Sequence, residues 1–195
     1  MLKKITIMSL AAASAFAMHT GEINVNDKDL ELSAKIDMGQ FQDGVEPGSM
    51  FVGGRFLNAD KRNSSDHLGS LGAYYEVDFL MMREIGNKGM RMGMGAKVNH
   101  TQNYTTIPLG LEFAYKIPAD GLIPMRLSGS LYYAPSVLSF SSAKDFVEYR
   151  IGYEVEVIQD GHVVLGYRNI DTNYDSAVGN FNYNSSFYLG FKIVF

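Results

Sequence analysis

FYLGFKIVF, residues 187–195, is the stretch of sequence that decides the fold. Apolar side chains alternate in it with small or polar ones, which is the period of a β-strand with one apolar face. Its apolar positions are Phe187, Leu189, Phe191, Ile193 and Phe195. The same alternation recurs back towards the start of the chain, in segments of roughly ten residues separated by turns or polar loops. The sequence therefore predicts an all-β protein.

The beginning of the chain predicts export. Two lysines precede an apolar run over residues 5–17, which closes on the A-x-A motif Ala15-Phe16-Ala17. Such a segment is typical of a secretory signal peptide, and it is shorter than the roughly 18–20 residues that a membrane-spanning helix needs. We therefore predict a signal peptide at residues 1–17 and a single barrel domain at residues 18–195, since one domain accommodates this length.

Composition excludes several classes of protein. The chain has no cysteine, so disulfides, thiol chemistry and cysteine metal sites are excluded. Without the two signal lysines, 15 basic and 21 acidic residues leave a formal charge of −6, which argues against nucleic-acid binding. The 20 glycines, 12 tyrosines and 12 phenylalanines favour β structure.

The charged residues fall on the face opposite the apolar one. Alternation alone leaves two possibilities, a soluble lipid-carrying barrel with an apolar interior and a membrane barrel with an apolar exterior. The polar face also carries many glycines, which relieve crowding inside a narrow barrel, and its charges are nearly balanced, which suits an interior held by ion pairs. We therefore expect these charged side chains to line a lumen: Lys35, Arg55, Glu76, Asp78, Arg91, Lys97, Glu112, Lys116, Arg126, Glu148, Arg150, Glu154, Glu156, Arg168 and Lys192.

The last strand favours the membrane alternative. Its alternation and its final Phe195 resemble the terminal strand of bacterial outer-membrane proteins, which is the signal that the barrel-assembly machinery recognises. Tryptophan, common at the membrane interfaces of such barrels, is absent, so tyrosine and phenylalanine must take its place. The candidates are Tyr75, Phe79, Tyr115, Tyr133, Tyr153, Tyr167 and Phe195. We expect a Gram-negative outer-membrane location, with outer-membrane lipid and the assembly machinery as partners and no nucleic acid.

The number of strands follows from counting and parity. Nine segments alternate clearly: 30–38, 50–57, 71–81, 90–98, 107–117, 125–133, 147–157, 162–170 and 186–195. A single-chain bacterial barrel with both ends in the periplasm needs an even number. Residues 20–26 supply one more, because Ile23 and Val25 alternate with polar residues there. We therefore predict a transmembrane antiparallel up-and-down β-barrel of ten strands, with eight as the alternative.

The predicted connections differ in length on the two sides. Long ones near residues 58–68, 99–106, 134–144 and 171–186 fall on one side, and the shorter ones fall on the other. On the side with the shorter connections, 39–49 is the one long exception.

Few residues suggest an enzyme or a metal site. The four histidines are His19, His67, His100 and His162, and the run Ser64-Ser65-Asp66-His67 has the groups of a catalytic triad, but adjacency in sequence rarely gives triad geometry. The segment 171–175 begins like a calcium loop, yet Ser176 and Asn182 replace its required glycine and glutamate. We therefore expect no enzyme, no catalytic residue, no metal and no cofactor.

One local run carries a resemblance to a known family. The strand VVLGYRNIDTN, residues 163–173, and the segment that follows it into FYLGFKIVF resemble the YfaZ family of outer-membrane proteins, most specifically at Gly166-Tyr167-Arg168. The likeness extends to size, signal peptide and strand spacing. It implies an outer-membrane barrel and supplies no catalytic or binding residues.

These observations lead to one expectation for function and two alternatives. A barrel of about ten strands has a narrow bore that side chains largely fill. We expect a small channel or porin-like protein. The first alternative is a structural or surface-interaction barrel without transport, which presents the loops 58–68, 99–106 and 171–186. The second and less favoured one is a barrel-embedded lipid-modifying enzyme.

Overall fold

The chain folds into a barrel of long antiparallel strands. A computed structural model describes residues 19–60, 72–86, 89–118, 123–174 and 180–195. The long strands are β1 (Thr20–Val25), β2 (Leu30–Asp37), β3 (Met50–Asn58), β4 (Tyr74–Ile85), β5 (Met90–His100), β7 (Leu109–Ile117), β8 (Met125–Ala134), β10 (Ala143–Ile158), β11 (Gly161–Tyr174) and β12 (Asn180–Val194). Two short strands, β6 (Tyr104–Thr106) and β9 (Ser139–Ser141), and single 3-10 turns at Met38–Gln40 and Ser136–Leu138 complete the described elements.

Every long strand has a long neighbour on both sides. Around the ring the order is β1, β2, β3, β4, β5, β7, β8, β10, β11, β12, and β12 pairs again with β1. The predicted ten-stranded barrel is confirmed, and the eight-stranded alternative is wrong. The segment placed by parity at 20–26 is β1. Closure matters physically, because it leaves no unpaired edge among the ten long strands.

The apolar face of the strands points outwards. Each of the ten long strands carries large apolar side chains that are exposed on the outside, and Met94 and Phe187 are 70% and 72% exposed. Charged side chains such as Glu31, Glu148 and Arg168 are buried inside. This arrangement excludes the lipid-carrying alternative, in which the apolar face would line the interior. The described residues include no helix of the length and apolarity needed to cross a membrane.

The apolar band has the height of a membrane. On the last strand it runs from Phe187 to Phe195, eight residues apart, or about 27 Å along the strand at roughly 3.4 Å per residue. At a strand tilt of about 40° this gives a height of about 21 Å, close to the roughly 25 Å typical of outer-membrane barrels. Aromatic pairs lie near the limit of the band at which Phe187 stands. The ring centroids of Tyr167 and Phe187 are 4.9 Å apart, and those of Phe56 and Tyr75 are 5.4 Å apart.

The two ends of the barrel differ. We call the end that carries His19 and Phe195 the terminal end, and the opposite one the loop end. The four connections predicted to be long all begin and end at the loop end, and 39–49 lies at the terminal end, as predicted. At the terminal end, the Asp37 carboxylate ties the 39–49 connection down by accepting hydrogen bonds from the backbone N–H groups of Gly39 and Gly48, at 3.0 and 2.6 Å.

Two of the predicted loops are largely strand. β5 continues to His100 and β6 follows at Tyr104–Thr106, while β11 runs on to Tyr174 and β12 begins at Asn180. Polar residues at these positions satisfy one another across the ladder: the Asn182 amide donates to Asn169 and Asp171, at 2.9 and 2.7 Å. Their polarity therefore indicates a strand that extends beyond the apolar band, and not a loop.

Candidate functional site

The loop end of the lumen is filled by a cluster of apolar and aromatic side chains, which we call the aromatic cap. Its members are Leu57, Tyr74, Tyr104, Ala134, Ala143, Phe146, Ile170, Tyr174, Phe181 and Tyr183. Six of them, from β3, β4, β8, β10, β11 and β12, have no solvent-accessible surface. Inner side chains from most of the barrel wall therefore meet at this level and exclude water.

Sequence analysis missed the aromatic cap, because it assigned the inward face to charged residues. A signal was present. Leu57 stands two residues from Arg55, Tyr74 two from Glu76, and Phe146 two from Glu148. Positions two apart on a strand share a face, so these apolar residues must point inwards with the charges.

Next to the aromatic cap lies a layer of buried ion pairs, which we call the charge layer. It contains four cations and four carboxylates: Arg55, Lys97, Arg150, Arg168, Asp29, Glu31, Glu76 and Glu148. The charges balance, as burial requires. The Tyr74 hydroxyl donates to Glu76 at 2.9 Å and so joins the aromatic cap to the charge layer.

Some of these ion pairs cross the lumen. Arg55 on β3 donates to Glu148 on β10 at 2.7 Å, and four strands separate β3 from β10 in either direction around the ring. The two residues therefore stand on opposite walls, and their contact spans the diameter. Arg150 on β10 similarly reaches Glu31 on β2. The charge layer is a second closure of the bore.

Below the charge layer, towards the terminal end, the lumen widens into a cavity of about 260 Å³. Thr20 and Val194 line it where β1 begins and β12 ends, so the cavity extends to the terminal end. Lys35 lies 3.3 Å from Glu112 and 3.6 Å from Asp78. The cavity is thus a blind chamber with the charge layer as its roof.

Two cations of the cavity wall are more exposed than the carboxylates that they contact. The Arg126 and Lys35 side chains are 37% and 31% exposed, whereas those of Glu154 and Asp78 are 5% and 4% exposed. Glu154 is shared by two cations, Lys192 at 2.9 Å and Arg126 at 3.5 Å. A molecule in the cavity can therefore contact Arg126 and Lys35 more readily than Glu154 and Asp78.

The fifteen charged residues singled out in the sequence fall into three groups. Eleven border the cavity: Lys35, Arg55, Glu76, Asp78, Arg91, Lys97, Glu112, Arg126, Arg150, Glu154 and Lys192. Glu148 and Arg168 are buried in the charge layer. Lys116 is exposed near the terminal end of β7, and Glu156 is half-buried opposite His162. Alternation does not predict that Asp29 belongs to the charge layer, because this residue stands in the turn before β2.

The candidate catalytic and metal-binding residues that the structure describes make other contacts. Residues 64–67 lie outside the described part of the chain. His100 makes an exposed hydrogen-bonding contact with the Thr105 hydroxyl at 2.8 Å, and the Asp171 carboxylate accepts hydrogen bonds from Asn169 and Asn182. Within the described residues, no group of three or more His, Asp or Glu side chains is placed to hold a metal ion.

Phe195 completes the seam between the first and last strands. Its backbone N–H donates to the His19 carbonyl at 2.9 Å, and the His19 N–H donates back at 3.1 Å. The two rings are in edge contact, with centroids 5.9 Å apart. The residue predicted to be an assembly signal thus also extends the ladder that closes the barrel.

Comparison with known proteins places this barrel in a family. A solved structure described as KdgM porin is similar, with a TM-score of 0.45 and 11% sequence identity over 91% of this chain and 98% of that one. No curated protein matches the chain. The model of the family described as YfaZ precursor matches residues 2–195, nearly the whole sequence. The chain therefore belongs to the YfaZ family.

Proposed function

We propose that the protein is an integral barrel of the bacterial outer membrane, with its terminal end in the periplasm and a bore that is closed to diffusing solutes. The apolar band supports the membrane location, because its height and exposure match what lipid contact requires. The family description, a precursor, agrees with an exported protein. The short connections at the terminal end support the orientation, since periplasmic turns are short in such barrels.

The complete burial of inner side chains in the aromatic cap and the charge layer is the observation that carries the closed bore. Glu31, Leu57, Phe146 and Tyr183, contributed by different strands, have no accessible surface although all point into the lumen. An open pore would expose the tips of such side chains to water. The Arg55–Glu148 contact across the diameter adds a barrier of paired charges. On this proposal the protein acts through its periplasmic cavity and its loop-end surface.

Two measurements test this proposal. Fractionation should recover the protein in the outer membrane, and an unboiled sample should run at a different gel position from a boiled one. In planar bilayers, the purified and refolded protein should show no steady conductance. Stepwise ohmic conductance of the wild-type protein would contradict the closed bore, and recovery in the soluble periplasm would contradict the location.

A small gated channel is the second candidate, and the charged cavity favours it. Opening would require separation of Arg55 from Glu148 and displacement of the aromatic cap. The triple variant R55A/E148A/F146A removes the Arg55–Glu148 contact and truncates Phe146 of the aromatic cap. It keeps the charge layer neutral, because it removes one cation and one carboxylate. If the protein is a gated channel, this variant conducts and the wild-type protein shows rare openings of the same size. Silence of both, with the gel shift intact, supports the permanently closed barrel.

We propose no enzymatic role. A lipid-modifying barrel needs a nucleophile with a positioned base, and His100 is engaged with the Thr105 hydroxyl instead. Incubation of the refolded protein with phospholipid should release no fatty acid. Release that is abolished by H67A or H100A would instead establish the enzyme.

A further inference from the structure

We propose that the cavity at the terminal end binds a small multivalent anion, one that carries phosphate or carboxylate groups and enters from the periplasm. This inference goes beyond the proposed function, which concerns location and closure. It depends on the charges of the cavity wall and on their accessibility.

The surplus of positive charge in the cavity is local, at the carboxylate of Glu154. Outside the neutral charge layer the lining holds four basic and four acidic residues, Lys35, Arg91, Arg126 and Lys192 against Glu22, Asp78, Glu112 and Glu154. At Glu154, however, two cations, Arg126 and Lys192, share one carboxylate. A low-dielectric wall strengthens the attraction between such a surplus and an anion, because it focuses the field into the cleft. The cavity therefore favours anions over neutral solutes of the same size.

The acidic residues of the wall already have partners. The Glu112 carboxylate accepts from the Tyr132 hydroxyl at 2.7 Å and from Lys35 at 3.3 Å. Glu22 accepts from the Asn24 amide at 2.7 Å. These contacts occupy part of the acceptor capacity of the two carboxylates, and Lys35 balances the charge of Glu112.

Arg126 is the most available ligand-binding group. Its guanidinium has five N–H donors, and one of them donates to the Glu154 carboxylate at 3.5 Å. Lys192, which is 14% exposed, holds the same carboxylate more closely, at 2.9 Å. An oxyanion beside Arg126 and Lys192 would thus add a second negative partner where two cations share one.

Size and shape narrow the ligand class. The cavity, at about 260 Å³, is below the roughly 300–1,000 Å³ of pockets that take drug-sized molecules. It suits an ion such as diphosphate or a tricarboxylate. The neutral charge layer closes the inner end of the cavity, so the anion would bind and not pass through.

Titration calorimetry of the refolded protein in zwitterionic detergent tests the inference. The probes are inorganic pyrophosphate and citrate, with glucose as the neutral control. We expect Kd values below about 1 mM for the anions, weakening as salt is added because the attraction is screened, and no heat with glucose.

Arg126→Gln should weaken anion binding at least tenfold while Lys192 keeps Glu154 paired. Arg126→Lys, which preserves the charge, should restore part of the affinity. Arg83→Gln is the matched control, because Arg83 is exposed near the same end of the barrel and is not part of the cavity wall; it should leave binding unchanged. The gel shift verifies that each variant is folded.

Three outcomes would overturn the inference: no binding of either anion by the wild-type protein up to about 10 mM, equal weakening by Arg126→Gln and Arg83→Gln, or equal binding of glucose. None of them affects the proposed location and closed bore, which depend on fractionation and conductance. If Arg126→Gln does not fold, Arg126→Lys with the salt dependence of wild-type binding still decides the question.

Discussion

Replacing Arg55 by methionine should destabilise the barrel strongly, since Arg55 is the centre of the charge layer. Its guanidinium contacts Glu76, lies 2.7 Å from Glu148 and 3.8 Å from Glu31, and is 5.2 Å from the Tyr74 ring. The side chain is 4% exposed. Methionine keeps much of the length and apolar contact of the side chain and removes its charge.

The magnitude follows from the charge balance of the layer. Four buried cations face four buried carboxylates, and loss of Arg55 leaves one carboxylate without compensation. Removing one partner of a buried ion pair costs about 3–5 kcal/mol. The double variant R55M/E148Q leaves three cations and three carboxylates, so it should recover at least about half of that loss. The double variant should then be about 2 kcal/mol more stable than Arg55→Met alone. The magnitude of the coupling energy between the two sites is this recovery plus the cost of Glu148→Gln by itself.

Urea unfolding in detergent micelles measures these free energies. Far-ultraviolet circular dichroism and the gel shift monitor the transition, because the chain has no tryptophan whose fluorescence could report it. Arg83→Met, on an exposed residue, serves as the control for loss of an arginine. A loss below about 1 kcal/mol for Arg55→Met, or a double variant less stable than Arg55→Met alone, would refute the argument from charge balance.

Three further predictions follow from the wall of the barrel. Gly190→Ala should lower stability, because a Cβ there would collide with the Asn24 side chain and lie 2.9 Å from the Ile23 carbonyl oxygen. Gly54→Ala is the control and should be tolerated, since the nearest neighbour of its Cβ would be 3.6 Å away. Equal unfolding midpoints of the two variants would contradict this. Met94→Arg places a charge on the lipid-facing surface and should lower the free energy of unfolding in lipid vesicles by about 2–4 kcal/mol. Ser185→Arg, on the loop-end side of the apolar band, should lower it little. Similar losses for the two variants would mean that the position of the band is wrong. Phe195→Ala should reduce the folded fraction in the outer membrane of cells, yet it should refold normally in detergent because the Phe195 side chain is 37% exposed. Phe140→Ala, at an exposed phenylalanine in β9, is the control. Normal assembly of Phe195→Ala in cells would exclude the assembly role.

Much of the barrel follows from local pattern. Alternation at Ile23 and Val25 was enough, together with strand parity, to place β1, since a side-chain period of two is a property of each strand alone. The outward face was also predictable, because a row such as Leu189, Phe191 and Ile193 must avoid water. The loops at 99–106 and 171–186 were mispredicted, because a polar strand outside the membrane has the composition of a loop.

The sequence by itself therefore determined the strands and their faces, and parity favoured ten strands over eight. Only the tertiary structure decided what the lumen contains. A period of two indicates which way Arg55 points, but not at what height or towards which wall, and its partner Glu148 is 93 residues away. Tyr74 and Phe146 share a face with charged neighbours, and their role in the aromatic cap depends on strands from opposite sides meeting at one level. Register and closure set that level, and both arise from pairings between distant segments and not from the composition of any one of them.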